Sequence, residues 1–259
     1  MNRVVVITGA SAGIGEAIAR ELGRRGDRLV LASRSADALQ RVATKIGPHA
    51  HVVQADVRHR SEVERIRDEA ISAFGGIDVW INNAGRGIVR PVLDLSDDDL
   101  DEMICINVKS ALYGMQAVVP HFTDRGRGHI INISSFLGRV PVAPLRSAYS
   151  AAKAALNTLT ANARVDLQRT QPGIHVSLVM PGLVATDFAK HAIGSTGVIP
   201  AGPIGSPMTT QTPQEVATVV ADLIDHPAAE VYTNPASRAL AARYFEDVGA
   251  FEAEAYRPR

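Results

Sequence analysis

Val4-Val5-Val6-Ile7 is an unbroken β-branched run with no polar residue alternating through it. Such a run predicts a strand buried on both faces of a parallel sheet. Apolar positions at helical spacing follow over 14–25, and the two periods then trade places along the chain. Further strands are predicted at 28–32, 51–54, 78–81, 129–133 and 175–180, with a short edge strand at 231–232. Ser61-Glu62-Val63-Glu64 reads as a capping box that opens a helix to about Phe74. Ser96 caps a long helix running towards Pro120, and Asp97, Asp98 and Asp99 in its first turn suit the macrodipole. An Ala-rich helix covers 149–166. Thr212-Pro213-Gln214-Glu215 starts another, with proline first and glutamate three after the cap. Six or seven strands alternating with helices predict a doubly wound parallel sheet in one α/β domain over 1–259.

In such a sheet, ligands gather at the carboxyl ends of the strands. The polar and glycine-rich stretches fall there. Thr8-Gly9-Ala10-Ser11-Ala12-Gly13-Ile14-Gly15 joins the first strand to the first helix. Glycines let the backbone approach a pyrophosphate, which the amides and dipole at the helix start then favour. The spacing, Gly-x-x-x-Gly-x-Gly, departs from the usual G-x-G-x-x-G. Ser33 and Arg34 end the second strand, ~20 residues past the turn, where an NAD site places an acid on the ribose. An arginine fork suits a 2′-phosphate instead. NADP(H) is therefore the expected cofactor and NAD(H) the less favoured one. The nearest acid, Asp37, is already inside the next helix. Asp56 lies at the edge of the third strand, followed by Val57. Asn82-Asn83-Ala84-Gly85 closes the fourth, its amides placed to brace loops or to touch a ligand, with bracing favoured. Asn107, between Ile106 and Val108, lies near a buried face and must find a partner.

Tyr149 and Lys153, four residues apart on a helix, share one face and one turn. A free tyrosine has a pKa of about 10. An ammonium within ~4–6 Å favours the phenolate and lowers that value by roughly 1–3 units. The pair suits general acid–base work on an alcohol or carbonyl. A serine at the preceding strand end, in Ile133-Ser134-Ser135, is placed to hold the substrate oxygen.

Composition narrows the picture. Apolar residues make up 46%, and 27 basic residues balance 27 acidic ones. No general attraction to nucleic acid or to an anionic membrane follows from that balance. Cys105 is the only cysteine; it sits in a helical pattern and is expected in the core, with no disulfide and no metal site. No apolar run approaches the ~18 residues of a membrane span, and the run at 4–7 is too short for a signal-peptide core. A soluble cytoplasmic protein is expected.

Together these motifs resemble the short, single-domain branch of the short-chain dehydrogenases/reductases, a Rossmann-fold family. Thr8-Gly9-x-x-x-Gly13-Ile14-Gly15, Asn82-Asn83-Ala84-Gly85, Asn107, Ser135, Tyr149-x-x-x-Lys153 and Pro181-Gly182…Thr186 follow its motifs in order over about 3–190. The resemblance implies that Tyr149 exchanges a proton with the substrate oxygen while hydride moves to or from the nicotinamide. It implies that Lys153 holds the nicotinamide ribose, Ser135 fixes the carbonyl, and Asn107 anchors a water feeding protons to Lys153. Asp56 and Val57 would lie at the adenine, and Gly9, Ser11, Gly13, Ile14 and Gly15 at the phosphates. Asn83, Ala84 and Gly85 would line the cofactor, as would Pro181, Gly182 and Val184, with Thr186 on the carboxamide.

Two features depart from the family. Ser135 precedes Tyr149 by fourteen positions where many members have thirteen, consistent with one extra residue in the Pro141–Ser147 loop. Ala12 replaces the basic residue some NADP-preferring members carry in the glycine turn, so the cofactor expectation rests on Arg34. A silent dinucleotide-binding regulator would have lost Tyr149, Lys153 or Ser135, and all three are present. An epimerase of the extended branch needs a larger substrate domain, and divergent enoyl reductases space tyrosine and lysine more widely.

The segment 187–211 is rich in Gly and Pro and is expected to be a lid. Phe188, Ile193, Val198, Ile199, Ile204 and Met208 make it apolar, with only Lys190 and His191 to answer an anion. A small, uncharged alcohol or carbonyl compound is therefore the expected substrate. The tail 234–259, with Tyr244, Phe245, Phe251 and Tyr256, is expected to pack on its own core or on a neighbouring subunit. A homo-oligomer, dimer or tetramer, is expected from the resemblance.

Overall fold

The computed structural model describes residues 2–195 and 209–255. Seven strands form one parallel sheet: β1 (Val4–Thr8), β2 (Arg28–Ser33), β3 (Ala50–Gln54), β4 (Val79–Asn82), β5 (Gly128–Ile133), β6 (Ile174–Met180) and β7 (Glu230–Tyr232). Their order is β3-β2-β1-β4-β5-β6-β7, so the strand order reverses direction beside β1. The reversal opens a crevice between the ends of β1 and β4, where doubly wound sheets take their ligands. The central strands are buried along their whole length because helices cover both faces.

The helices are α1 (Gly13–Arg24), α2 (Ala36–Ile46), α3 (Arg60–Phe74), α4 (Asp97–Ile104), α5 (Ser110–Arg125), α6 (Ser147–Thr170), α7 (Pro213–Asp225), α8 (Ser237–Glu246) and α9 (Val248–Ala255). Ile18 and Leu22 of α1, Leu39 of α2 and Val220 of α7 pack with Val5, Ile7 and Leu31 on one face of the sheet. Ile66 of α3 and Val118 and Phe122 of α5 pack with Val6, Trp80 and Ile130 on the other. Among the described residues no helix is long and apolar enough to cross a membrane.

Two sequence expectations change. The capping box at Ser61–Glu64 does not form. His59 caps α3 without a side-chain bond, and the Glu62 carboxylate instead accepts from the Asp56 amide at 2.8 Å. The single helix expected from Ser96 is broken by a π-helical turn over Cys105–Lys109, and it continues past Pro120 to Arg125, where Gly126 ends it in the left-handed region. The tail folds back as α8 and α9. Leu240, Tyr244 and Phe251 there cover Phe136, Val140 and Val142 of this same chain. Of the apolar residues that suggested a lid, Val198, Ile199, Ile204 and Met208 lie outside the described residues, as does Tyr256.

Beneath the crevice a buried polar chain joins four elements. The Trp80 indole N–H donates to Asn82 Oδ1 at 2.7 Å, and Asn82 Nδ2 donates to Asn132 Oδ1 at 2.8 Å and to the Ala111 carbonyl at 3.2 Å. Asn132 Nδ2 in turn donates to Thr160 Oγ1 of α6 at 2.9 Å. Asn82→Ala strands the indole donor and the Asn132 oxygen in a dry interior. Stranded groups cost ~1–3 kcal/mol each, so with two of them unfolding free energy should fall by roughly 2–6 kcal/mol. A urea unfolding curve whose midpoint does not move would disprove the role given to this chain.

Candidate active site

Nineteen of the twenty residues singled out in the sequence line one cleft of about 1360 Å³ at the carboxyl ends of the strands. Asn107 lies behind it, buried. At one end the glycine turn leads into α1, whose cap Ala12 offers no side-chain acceptor, so the first amides are left to the cleft. Gly13 has φ +57° and faces Thr186, whose Cγ2 would lie 3.3 Å from an added Cβ. Gly15 is required for a different reason: a Cβ there would meet the Gly9 carbonyl oxygen at 2.3 Å. Packing within the turn, as much as room for a ligand, thus sets the spacing. Asn83 braces the turn as expected, its Nδ2 donating to the Thr8 carbonyl at 2.9 Å and the Gly9 carbonyl at 3.2 Å.

Ser33 and Arg34 stand at the end of β2. The Ser33 hydroxyl accepts from the Ser35 amide at 3.2 Å, and Arg34 is exposed on the cleft rim. Opposite, Asp56 is ion-paired with Arg58 at 2.6 Å. Hydrogen bonds from Arg58 hold its carboxyl below the usual range.

At the other end α6 presents Tyr149 and Lys153, both buried. Lys153 Nζ donates to the Ile133 carbonyl at 2.9 Å and lies 5.8 Å from the Tyr149 ring centre. Burial pushes the ammonium down to about 8. The expected depression of the phenol by Lys153 is corrected here: burial dominates and pushes Tyr149 up to about 12. What pulls the other way is a hydrogen bond with the Ser135 hydroxyl, then the charge of Arg146. Phe188 closes over the phenol with ring centres 5.6 Å apart.

The two serines have parted roles. Ser134 Oγ donates to Asn157 Oδ1 at 2.5 Å and reaches the Lys153 carbonyl at 3.3 Å, so it fastens β5 to α6. Ser135 Oγ accepts from the Leu137 amide at 3.2 Å and keeps its proton for the cleft. Asn107 sits in the π turn. Its Nδ2 donates to the Arg86 carbonyl at 3.0 Å and the Met103 carbonyl at 3.1 Å, and its Oδ1 accepts from the Arg86 amide at 3.2 Å. A Cβ on Gly85 would come 2.8 Å from that Oδ1 and 3.6 Å from Lys153 Nζ, so the glycine lets the loop after β4 pass between the two.

Sequence reasoning missed Arg146. It precedes Tyr149 by three residues, one helical turn, and lines the same cleft. That spacing was the available signal. It also missed Gly138, whose added Cβ would strike the Lys153 main chain at 2.7 Å.

Residues 3–194 match the family described as short chain dehydrogenase. The chain belongs to that family. It is 39% identical over 186 residues, 71% of this chain and 79% of the relative, to an uncharacterised oxidoreductase of Staphylococcus aureus. A short-chain dehydrogenase/reductase from Burkholderia phymatum, solved with NAD, superposes with a TM-score of 0.86 at 26% identity, covering 100% of this chain and 98% of that one. An alcohol dehydrogenase from the archaeon Thermococcus sibiricus, solved with 5-hydroxy-NADP, gives 0.76 at 28% identity, covering 90% and 97%. This short-chain dehydrogenase is accordingly an NAD(P)-dependent oxidoreductase acting on alcohol or carbonyl groups. The residues present fit a nicotinamide dinucleotide: uncapped amides at α1 for the phosphates, Arg34 on the rim, and a buried lysine with a single main-chain acceptor at the opposite end.

Lys153 gives this dehydrogenase a pH signature. Its pKa is about 8 in the fold against 10.5 for an ordinary lysine, so between those values the unfolded chain holds a proton the folded one lacks. Stability therefore rises with pH across that window, and below pH 8 the full penalty applies, up to about 3 kcal/mol. Lys153→Met should raise the melting temperature of the cofactor-free enzyme at pH 7, by less and less as pH climbs towards 10.5. A variant that melts lower at pH 7 would contradict this.

Proposed function

We propose that this chain is an NADP(H)-dependent oxidoreductase that interconverts an alcohol and its carbonyl compound, with Tyr149 as proton donor and acceptor. The meeting of Tyr149, Lys153 and Ser135 at one end of a cleft whose other end holds the glycine turn and Arg34 carries this reading. When bound, the nicotinamide supplies or accepts the hydride. In reduction, Tyr149 passes its phenolic proton to the carbonyl oxygen while the Ser135 hydroxyl donates a hydrogen bond to that oxygen. In oxidation, the same phenol takes the proton of the alcohol. A phenol near 12 is a weak acid for this work, so a charged group must favour the phenolate during turnover. Lys153, which would hold the cofactor ribose, supplies that charge. Asn107 is a positioning residue that holds the segment from Gly85 to Arg86 beside Lys153.

The cofactor choice follows from charge at the end of β2. Arg34 has no carboxylate within ion-pair distance among the described residues, and Ser33 brings no negative charge to repel a 2′-phosphate. Asp56, the nearby acid, is neutralised by Arg58.

NADPH oxidation against a panel of ketones and aldehydes tests the reaction, and absence of turnover across the panel would count against it. Tyr149→Phe removes only the hydroxyl; it should abolish turnover and leave NADPH binding nearly unchanged. Retention of more than a few per cent of kcat would sink the assignment.

Hydrogen bonds to charged groups are worth ~1.5–3 kcal/mol, or roughly 10- to 150-fold. Arg34→Ala should raise KM for NADPH by about that factor and barely touch NADH, while Ser33→Asp should tilt the enzyme towards NADH. A wild type that prefers NADH would move attention to Asp37.

A further inference from the structure

Charges in the cleft divide sharply. Arg20, Arg86 and Lys190 are ion-paired with Glu16, Glu102 and Asp187. Arg34, Lys153 and Arg146 have no carboxylate within 4 Å among the described residues. Arg34 and Lys153 belong to the proposed cofactor site. Arg146 is left over.

Its position is built. Arg146 caps α6 one turn before Tyr149, and its charge acts on that phenol. The guanidinium has five N–H donors. Nη1 gives one of them to the Ile88 carbonyl at 3.3 Å and would lie 2.9 Å from a Cβ on Gly87, so a glycine makes room for it. Burial disfavours its charge, and a partly desolvated cation without a counter-ion is costly. The preceding residue, Leu145, has φ +66°, the only non-glycine with positive φ among the described residues. A leucine in the left-handed region persists only where its surroundings enforce it. Here the Arg90 amide donates to the Leu145 carbonyl at 2.8 Å, and Ser147 Oγ donates to the Arg90 carbonyl at 3.1 Å. This is the loop in which the extra residue between Ser135 and Tyr149 is expected. Strain and desolvation are both spent on pointing one cation at the reacting end of the cleft.

We propose that Arg146 is a specificity-determining residue that holds the carboxylate of the substrate, a short hydroxy acid or its keto acid, while the reacting carbon faces Tyr149. A planar fork matches a planar carboxylate bidentately. A phosphate ester fits less well, because Arg146 is the one cation at this end, besides the cofactor's Lys153, left without a carboxylate among the described residues, and a single guanidinium leaves the second phosphate charge unanswered. The substrate expected from the sequence was uncharged because only Lys190 and His191 offered themselves. Lys190 is in fact committed to Asp187 at 2.6 Å, and the free cation comes from α6. The proposal rests on the oxidoreductase reading, which puts the reacting carbon at Tyr149.

The test measures binding to the NADP⁺-loaded enzyme by titration calorimetry. The probes are 2-hydroxybutanoate and 3-hydroxybutanoate, each as the carboxylate and as its methyl ester. At least one carboxylate should bind the wild type tenfold or more tightly than its ester, as expected for hydrogen bonds to a charged group. Arg146→Gln should bring that ratio to near one. Arg146→Lys, which keeps the charge and loses the fork, should fall between. Carboxylates that bind the wild type no better than their esters overturn the proposal, and so does a ratio that survives in Arg146→Gln. A structural role of Arg146 in the loop would weaken acid and ester alike. NADP⁺ reduction, followed separately, judges the underlying reaction: a high acid-to-ester ratio without hydride transfer strikes at that reading and supports the carboxylate site, whereas hydride transfer at a ratio of one does the reverse.

Discussion

The ammonium of Lys153 is buried with one main-chain oxygen as its partner, and the cleft is arranged around keeping it there. Such a group pulls towards water or towards neutrality. It stays because α6 cannot shift: Ser134 and Asn132 of the β5 end grip Asn157 and Thr160 one and two turns along the same helix. Asn132 is held in turn through Asn82 to the Trp80 indole. Buried polar chains of this kind specify one arrangement, because every alternative leaves a donor or acceptor dry. The height of Tyr149 above the sheet is thereby fixed from behind, by a chain whose members Trp80, Asn82, Asn132, Asn157 and Thr160 lie outside the cleft lining.

That rigidity explains the electrostatic state of the free enzyme. Both catalytic candidates sit on the wrong side of their useful ranges, the phenol near 12 and the ammonium near 8. Burial shifts each towards its neutral form, although a lysine near 8 still carries its charge at pH 7. Anything that draws the lysine's charge towards the phenol changes both at once.

Much of the fold was legible because a doubly wound parallel sheet writes itself in continuous apolar runs with glycine or polar residues at their ends. Six of the strands and the helices flanking them follow from that alternation, and the caps at Ser96 and Thr212 formed as written. What stayed hidden depended on contacts far apart in the chain. Nothing local says that Glu62 will turn to the Asp56 amide rather than cap its own helix, or that Asn107 will sit in a π turn. The tail offered aromatics without periodicity, and only the loop after β5 shows what they cover. For the site, spacing sufficed for Tyr149 and Lys153. Arg146, though also one turn from Tyr149, went unread because an arginine at a helix start is ordinarily solvated, and its lack of an acidic partner is a property of the assembled cleft.

The packing of α8 and α9 on Phe136, Val140 and Val142 has a consequence for synthesis. Strands β1 to β6 are complete before residue 181, so a nascent chain can assemble the dinucleotide half of the sheet as it leaves the ribosome. The loop that carries Ser135 into the cleft stays uncovered until residues 240–251 have emerged. Residues 240–251, translated after all seven strands, are therefore the ones that close over the loop leading away from Ser135.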